Sequence, residues 1–142
     1  MKQIIQYLNN GKIEVVNVPK PIINQNQVLV HSLNSLISSG TERMLLDFGK
    51  SNLISKALQQ PEKTKAVLNK IAKEGILSSY QAVKNKLSKP ISIGYCNVGK
   101  VEYSPFSKFN IGDRVVSNGP HAEYFNVPKN LCAIVPENVN NE

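Results

Sequence analysis

Cysteine is scarce in this sequence: Cys96 and Cys132 are the only two in 142 residues. That excludes a disulfide-rich scaffold and any zinc knuckle built on four cysteines. Long apolar runs are missing too. No stretch approaches the roughly 18 apolar residues of a membrane span. The first residues, MKQIIQYLNNGK, lack the long apolar core of a signal peptide. There is no internal repeat and no low-complexity tract. The expectation is a soluble, cytoplasmic globular chain with no membrane partner. Its length suits one domain, able to bury roughly two-thirds of the unfolded surface without a disulfide or metal staple.

Acidic residues are also few, ten against 17 Lys and Arg, for a net charge of +7. The deficit is local. From Arg43 to Lys89 ten cations face only Asp47, Glu62 and Glu74, and the rest of the chain carries seven charges of each sign. The whole surplus therefore belongs to one third of the sequence. Nucleic acid is the partner that such charge first suggests. Yet this segment has only Phe48 and Tyr80 as aromatics, a single arginine, and no recognised nucleic-acid motif. A solvated lysine face is expected there, and nucleic-acid binding is not.

The basic third reads as helix. Pro61 suits a first helical turn and Gly75 a C-terminal cap. Between them Val67, Leu68, Ile71 and Ala72 recur at helical spacing. Ser78 or Ser79 would cap a following helix with Tyr80, Val83 and Leu87 on one side, and the stretch from Met44 to Leu58 breaks near Gly49. Two or three short helices are expected. The flanks read as strands: 2–8, 12–18, 27–33, Val98–Tyr103, Arg114–Ser117, Glu123–Val127 and Cys132–Val135. Asn10-Gly11 is a hairpin signal, and Gly and Pro punctuate the rest. The fold class is then mainly β with a helical insertion at about 43–89 (α+β), a small barrel or sandwich interrupted by helices.

One motif misleads. Gly94-Tyr95-Cys96-Asn97-Val98-Gly99-Lys100-Val101 nearly spells a phosphate-binding loop. That loop needs Ser or Thr after the lysine and a helix whose first amides face the phosphate. Here Val101 stands at the hydroxyl position, and residues 98–103 read as strand.

The order of the flank motifs is more informative. Gln27-Val28-Leu29-Val30 is followed by Ser38-Ser39-Gly40-Thr41-Glu42, then Ile93 to Val101, then Phe109-Asn110-Ile111-Gly112-Asp113-Arg114-Val115. Gly119-Pro120-His121-Ala122-Glu123-Tyr124-Phe125-Asn126-Val127-Pro128 and Val135-Pro136-Glu137-Asn138-Val139 close the series. This series resembles the N-terminal, GroES-like catalytic domain of the medium-chain dehydrogenase/reductase family, the zinc-type alcohol dehydrogenase relatives. It covers the flanks and fails across the basic segment. With "SLISSGTERML", "GYCNVG" and "SNGPHAEYFNVPKNLCA", the chain looks closer still to the two-part oxidoreductases of bacterial surface-polysaccharide loci.

The resemblance implies a GroES-like, partly open β-barrel and an NAD- or NADP-dependent oxidoreductase whose dinucleotide is bound mainly by a downstream domain. Zinc-dependent members place a cysteine ligand where Ser38 or Ser39 stands before Gly40-Thr41-Glu42. A His-Glu pair follows a glycine where Tyr95-Cys96 follow Gly94. A serine hydroxyl and a phenol are poor zinc ligands, and Cys96 alone cannot hold the metal, so zinc is not expected. A carbonyl must then be polarised and protonated by side chains. Tyr95 is the candidate donor and Thr41 the candidate relay. Ser38, Ser39, Glu42, Cys96 and His121 become candidate substrate contacts, and Gly40 a candidate cofactor contact.

Each candidate has a structural alternative. Ser39-Gly40-Thr41-Glu42 also fits a helix capping box. Tyr95 could be a core tyrosine, His121 a surface histidine, and Cys96 a small buried residue; His31 falls within a strand, and Cys132 reads as core. No G-x-G-x-x-G turn occurs, so the chain as given is not expected to transfer hydride alone. The reading is the substrate domain of a zinc-independent NAD(P)-dependent oxidoreductase, with a small-molecule substrate and sugars of polysaccharide biosynthesis as the specific case. The alternative is a non-enzymatic GroES-like binding module that has lost its ligands. Self-association stays open, a homo-oligomer among the outcomes.

Overall fold

Val28, Leu29 and Val30 are all buried, an unbroken apolar run at the start of strand β3 (Gln27–Ser35). Such a run marks a strand in the middle of a sheet rather than at its edge. In the computed structural model, which describes residues 1–140, β3 indeed pairs antiparallel with both β7 (Tyr124–Pro128) and β5 (Asn97–Tyr103). Beyond β5 lie β6 (Arg114–Ser117) and β8 (Cys132–Ile134), giving the order β7-β3-β5-β6-β8. A second sheet has the order β2-β1-β4, from β1 (Lys2–Tyr7), β2 (Ile13–Asn17) and β4 (Pro90–Ser92). Among the described residues neither sheet closes on itself. The architecture is α+β, a partly open GroES-like β domain with four helices.

The main core sits on the five-stranded sheet: Val28, Val30, Val101, Phe109, Val115, Phe125, Val127 and Cys132, with Phe106 packed against it. Cross-strand pairs Val28–Val127 and Val30–Phe125 supply its centre. Burying each such side chain contributes about 1.5–3 kcal/mol. The β3–β5 ladder is irregular twice, between Leu29 and Val30 and between Ser32 and Asn34.

Four helices lie between β3 and β4: α1 (Thr41–Lys50), α2 (Leu53–Gln59), α3 (Pro61–Glu74) and α4 (Ile76–Ser88). This is more than the two or three expected, because Ser51-Asn52 separates α1 from α2 and Asn52 caps α2 by accepting from the Ser55 amide at 2.8 Å. Pro61 opens α3 as expected. Gly75, at φ +89, ends α3 and also starts α4, so neither Ser78 nor Ser79 is a cap. Ser78 Oγ instead donates back to the Glu74 carbonyl at 2.7 Å, and Ser79 is buried. The stripe on α3 is only half realised: no residue of α3 is fully buried, and Leu68 is 59% exposed. No helix among the described residues is long and apolar enough to cross a membrane.

By contact density the chain falls into two compact units. One comprises Met1–Ile5, Glu14–Ser39 and the residues from Ser92 onward, and holds the core sheet. The other comprises Gln6–Ile13 and Gly40–Ile91, and holds the helices.

Candidate functional site

Three segments of the sheet unit meet around the end of β3. The amide of Leu36 donates to the Cys96 carbonyl at 2.9 Å, which ties the residues after β3 to the loop before β5. The amide of His121 donates to the Ile93 carbonyl at 2.8 Å, which ties the loop before β7 to the same place. The His121 carbonyl accepts from the Ile4 amide at 2.8 Å, so its peptide groups are held on both sides.

The His121 ring is held as firmly. The residue is 6% exposed, and Nδ1 lies 2.8 Å from Ser35 Oγ. A hydroxyl can donate or accept, so this contact serves either imidazole tautomer. Gly94 lies against the ring: a Cβ built there would come within 2.8 Å of His121 N, Cγ and Cδ2. His121 is thus not the surface histidine of the bland sequence reading. The 93–96 loop and the 120–123 turn enclose it.

Asn97 supports the same turn from below. It is 1% exposed and its Nδ2 donates to Ser32 Oγ at 2.7 Å and to the Pro120 carbonyl at 3.2 Å. A carbonyl can only accept, which fixes the amide orientation and leaves Asn97 Oδ1 buried without a partner. Sequence reading passed over Ser32, Ser35 and Asn97. Asn97 had a signal: Asn97, Gly99 and Val101 alternate onto one buried face, where a polar side chain needs a reason.

The remaining candidates are distributed as follows. Tyr95 is 45% exposed in the loop beside Gly94, not the core tyrosine of the bland reading, and Cys96 is half-buried rather than buried. Neither belongs to the hydrophobic core cluster. Ser38 is half-buried and Ser39 exposed. Gly40, Thr41 and Glu42 belong to the helical unit, at the start of α1. The capping box does not form: Gly40 is the N-cap, already at φ −82 and ψ −64, and no side chain caps the helix. That placement moves Ser39 one residue too far out to reach the first free amides. Thr41 is exposed, whereas Glu42 is 8% exposed in the first turn, where the helix dipole favours a carboxylate.

His31 lies in β3 as expected, on a surface of the sheet rather than with His121. It stacks on Tyr124 at 4.5 Å, its Nδ1 is 3.8 Å from a Glu102 oxygen, and Lys20 sits 3.9 Å over the Tyr124 ring. Cys132 is core, and burial pushes its thiol up to about 11.

No protein-family model matches the chain, and no curated protein matches it by sequence. Solved structures do match by shape. The galactitol-1-phosphate dehydrogenase of Escherichia coli aligns with 99% of this chain and 40% of its own, at 14% identity and a TM-score of 0.64. The Coxiella burnetii quinone oxidoreductase aligns with 99% of this chain and 38% of its own, at 21% identity and 0.62. The quinone oxidoreductase of Thermus thermophilus, solved also with NADPH, aligns with 100% and 35%, at 19% identity and 0.57. What is shared is the fold. This chain spans about two-fifths or less of the length of these proteins.

Ser38, Ser39, Tyr95 and Cys96 stand at the positions to which the resemblance assigns ligands. Among the described residues, no group of three His, Cys, Asp or Glu side chains could hold a metal ion.

Proposed function

We propose that this chain is the substrate domain of an NAD(P)-dependent, zinc-independent oxidoreductase of the medium-chain dehydrogenase/reductase type. Its substrate would be a carbonyl compound or activated alkene, with a sugar of polysaccharide biosynthesis as the specific case. The observation that carries the reading is the fixed His121: a buried imidazole on a serine hydroxyl, walled by the glycine loop that ends in Tyr95 and Cys96. The fold shared with dehydrogenases and quinone oxidoreductases supports it.

In this reading a dinucleotide-binding domain partners the chain, and NAD(P)H, when bound, supplies the hydride. The chain's own residues supply protons and orientation. Tyr95 donates a proton to the developing alkoxide or enolate, and Thr41 relays it. Ser38, Ser39, Glu42, Cys96 and His121 contact the substrate. Gly40 is offered as the cofactor contact because neither its backbone nor its packing calls for glycine: φ is −82, and an added Cβ would meet nothing within 4 Å. A bare backbone there leaves room for a ligand to approach.

The intact gene product, assayed for NAD(P)H consumption against aldehydes, quinones and keto-sugars, provides the test. Tyr95→Phe and Thr41→Val are expected to lower kcat, the first by about 10²–10⁴-fold, the usual weight of a general acid. His121→Gln is expected to raise KM. Unchanged turnover in the first two, or tight NADPH binding by the 142-residue chain alone, would sink the assignment. Specific small-molecule binding without NAD(P)H consumption would favour the non-enzymatic binding module.

A further inference from the structure

Lys56 is a buried cation with no acidic partner among the described residues. It is 6% exposed, and its Nζ donates to the carbonyls of Gly49 at 2.9 Å and Ser51 at 2.5 Å, beside the C-terminal end of α1. An ammonium carries three N–H donors. Two of them meet carbonyls at the negative end of α1, and the Phe48 ring lies 5.8 Å from Nζ, so partial charges but no full negative charge face the ammonium among the described residues. Burial also holds the Lys56 pKa below the ordinary lysine value, the direction expected when desolvation outweighs nearby negative charge.

Lys56 lines a groove of about 260 Å³ between the start of α2 and one face of α4. Tyr80, Val83, Lys84 and Leu87 share that face at i, i+3, i+4 and i+7. Leu53 completes an apolar wall. No Asp or Glu lines the groove, which therefore gathers two positive charges beside an apolar surface. The volume lies just below the usual range for drug-sized ligands, at a size for a small molecule.

We propose that this groove binds a small organic oxyanion, a carboxylate or phosphate monoester on a short apolar body. Lys56 and Lys84 hold the charged end, and Leu53, Val83 and Leu87 hold the body. The site lies wholly in the helical unit and does not depend on the oxidoreductase reading. It gives two of the ten cations in that segment, Lys56 and Lys84, a role that a solvated face does not.

The test is an amide-resolved NMR titration of the 142-residue chain with hexanoate and with phenyl phosphate. Acetate and inorganic phosphate serve as controls without a body. At least one organic anion is expected to give saturable shifts centred on Lys56, Val83, Lys84 and Leu87. It should bind at least about tenfold more tightly than its bodiless control, given roughly 0.8 kcal/mol per buried methylene. Lys84→Gln, at an exposed position that folding does not need, should weaken binding about tenfold, and Lys86→Gln should leave it unchanged. Shifts spread equally over Lys63, Lys73 and Lys86, a titration that never saturates, or full affinity in the Lys84→Gln chain would overturn the proposal.

Discussion

Replacing Gly94 by alanine tests the packing of the His121 pocket, and a second glycine supplies the control. Gly94 has φ +95 and Gly112 φ +91, so both pay the same kind of conformational penalty on gaining a Cβ, about 1–2 kcal/mol. Around Gly112 an added Cβ would meet nothing within 4 Å. At Gly94 it would press on His121 N, Cγ and Cδ2 at 2.7–2.8 Å, well inside van der Waals contact. Overpacking of that kind costs about 1–3 kcal/mol more, because the ring is pinned by Ser35 and its backbone by Ile93 and Ile4. Gly94→Ala should therefore lose about 2–5 kcal/mol and Gly112→Ala about 1–2. Thermal unfolding should separate the two by several degrees, at about 3 °C per kcal/mol for a chain of this size. The His121 ring resonances should move in the first variant and stay in the second. If both variants melt together and the ring signals do not move, Gly94 does not wall the histidine, and the site as described is wrong.

Asn97→Ala removes the donors to Ser32 Oγ and the Pro120 carbonyl, and should cost about 1–3 kcal/mol in urea unfolding. Asn52→Ala should cost about 1 kcal/mol through loss of the α2 cap, read as lower helix content by circular dichroism. Iodoacetamide at pH 8 should label half-buried Cys96 and spare buried Cys132, as peptide mass mapping would show. The Cys132 thiol ionises near pH 9 when free and about 11 when folded, so the folded state favours the protonated form. Its contribution to stability is complete below about pH 9 and is lost as pH rises from there toward 11. A pH–stability curve that a Cys132→Ser change leaves unaltered above pH 9 would contradict this.

The strands of the core sheet were legible because β3 opens on an apolar run, β5, β6 and β7 alternate, and Gly, Pro or Asn punctuate the chain between them. Arg114–Ser117 was expected at those bounds, and β5 and β7 to within a residue. Three-residue β4 was missed, since Pro90-Ile91-Ser92 is too short to show a period. Helix starts were less legible. Ser78 and Ser79 look like caps in sequence, but a glycine with positive φ can end one helix and begin the next without a hydroxyl. The family resemblance drew attention to His121 but not to Ser35. The partner is brought up by pairing between strands far apart in the chain, which local spacing does not reveal. The exposure of Cys96 and Tyr95 was not legible for a related reason: their loop leaves the strand pattern, so alternation says nothing about it.

The two irregularities of that ladder have opposite sign. On β5, Glu102 has no partner between the pairs Leu29–Tyr103 and Val30–Val101. On β3, Leu33 has none between Ser32–Gly99 and Asn34–Val98. They behave like a pair of dislocations that cancel. The strands slip by one residue, run out of phase for three pairs, and return to their starting phase in time to set Ser35 opposite Asn97. Because Leu33 and Glu102 are the unpaired residues, deleting either one removes its own irregularity and leaves the pairs on both sides, Ser35–Asn97 among them, in register. Deleting both would give a regular ladder with the same six pairs, so the two irregularities supply local twist and bend rather than register.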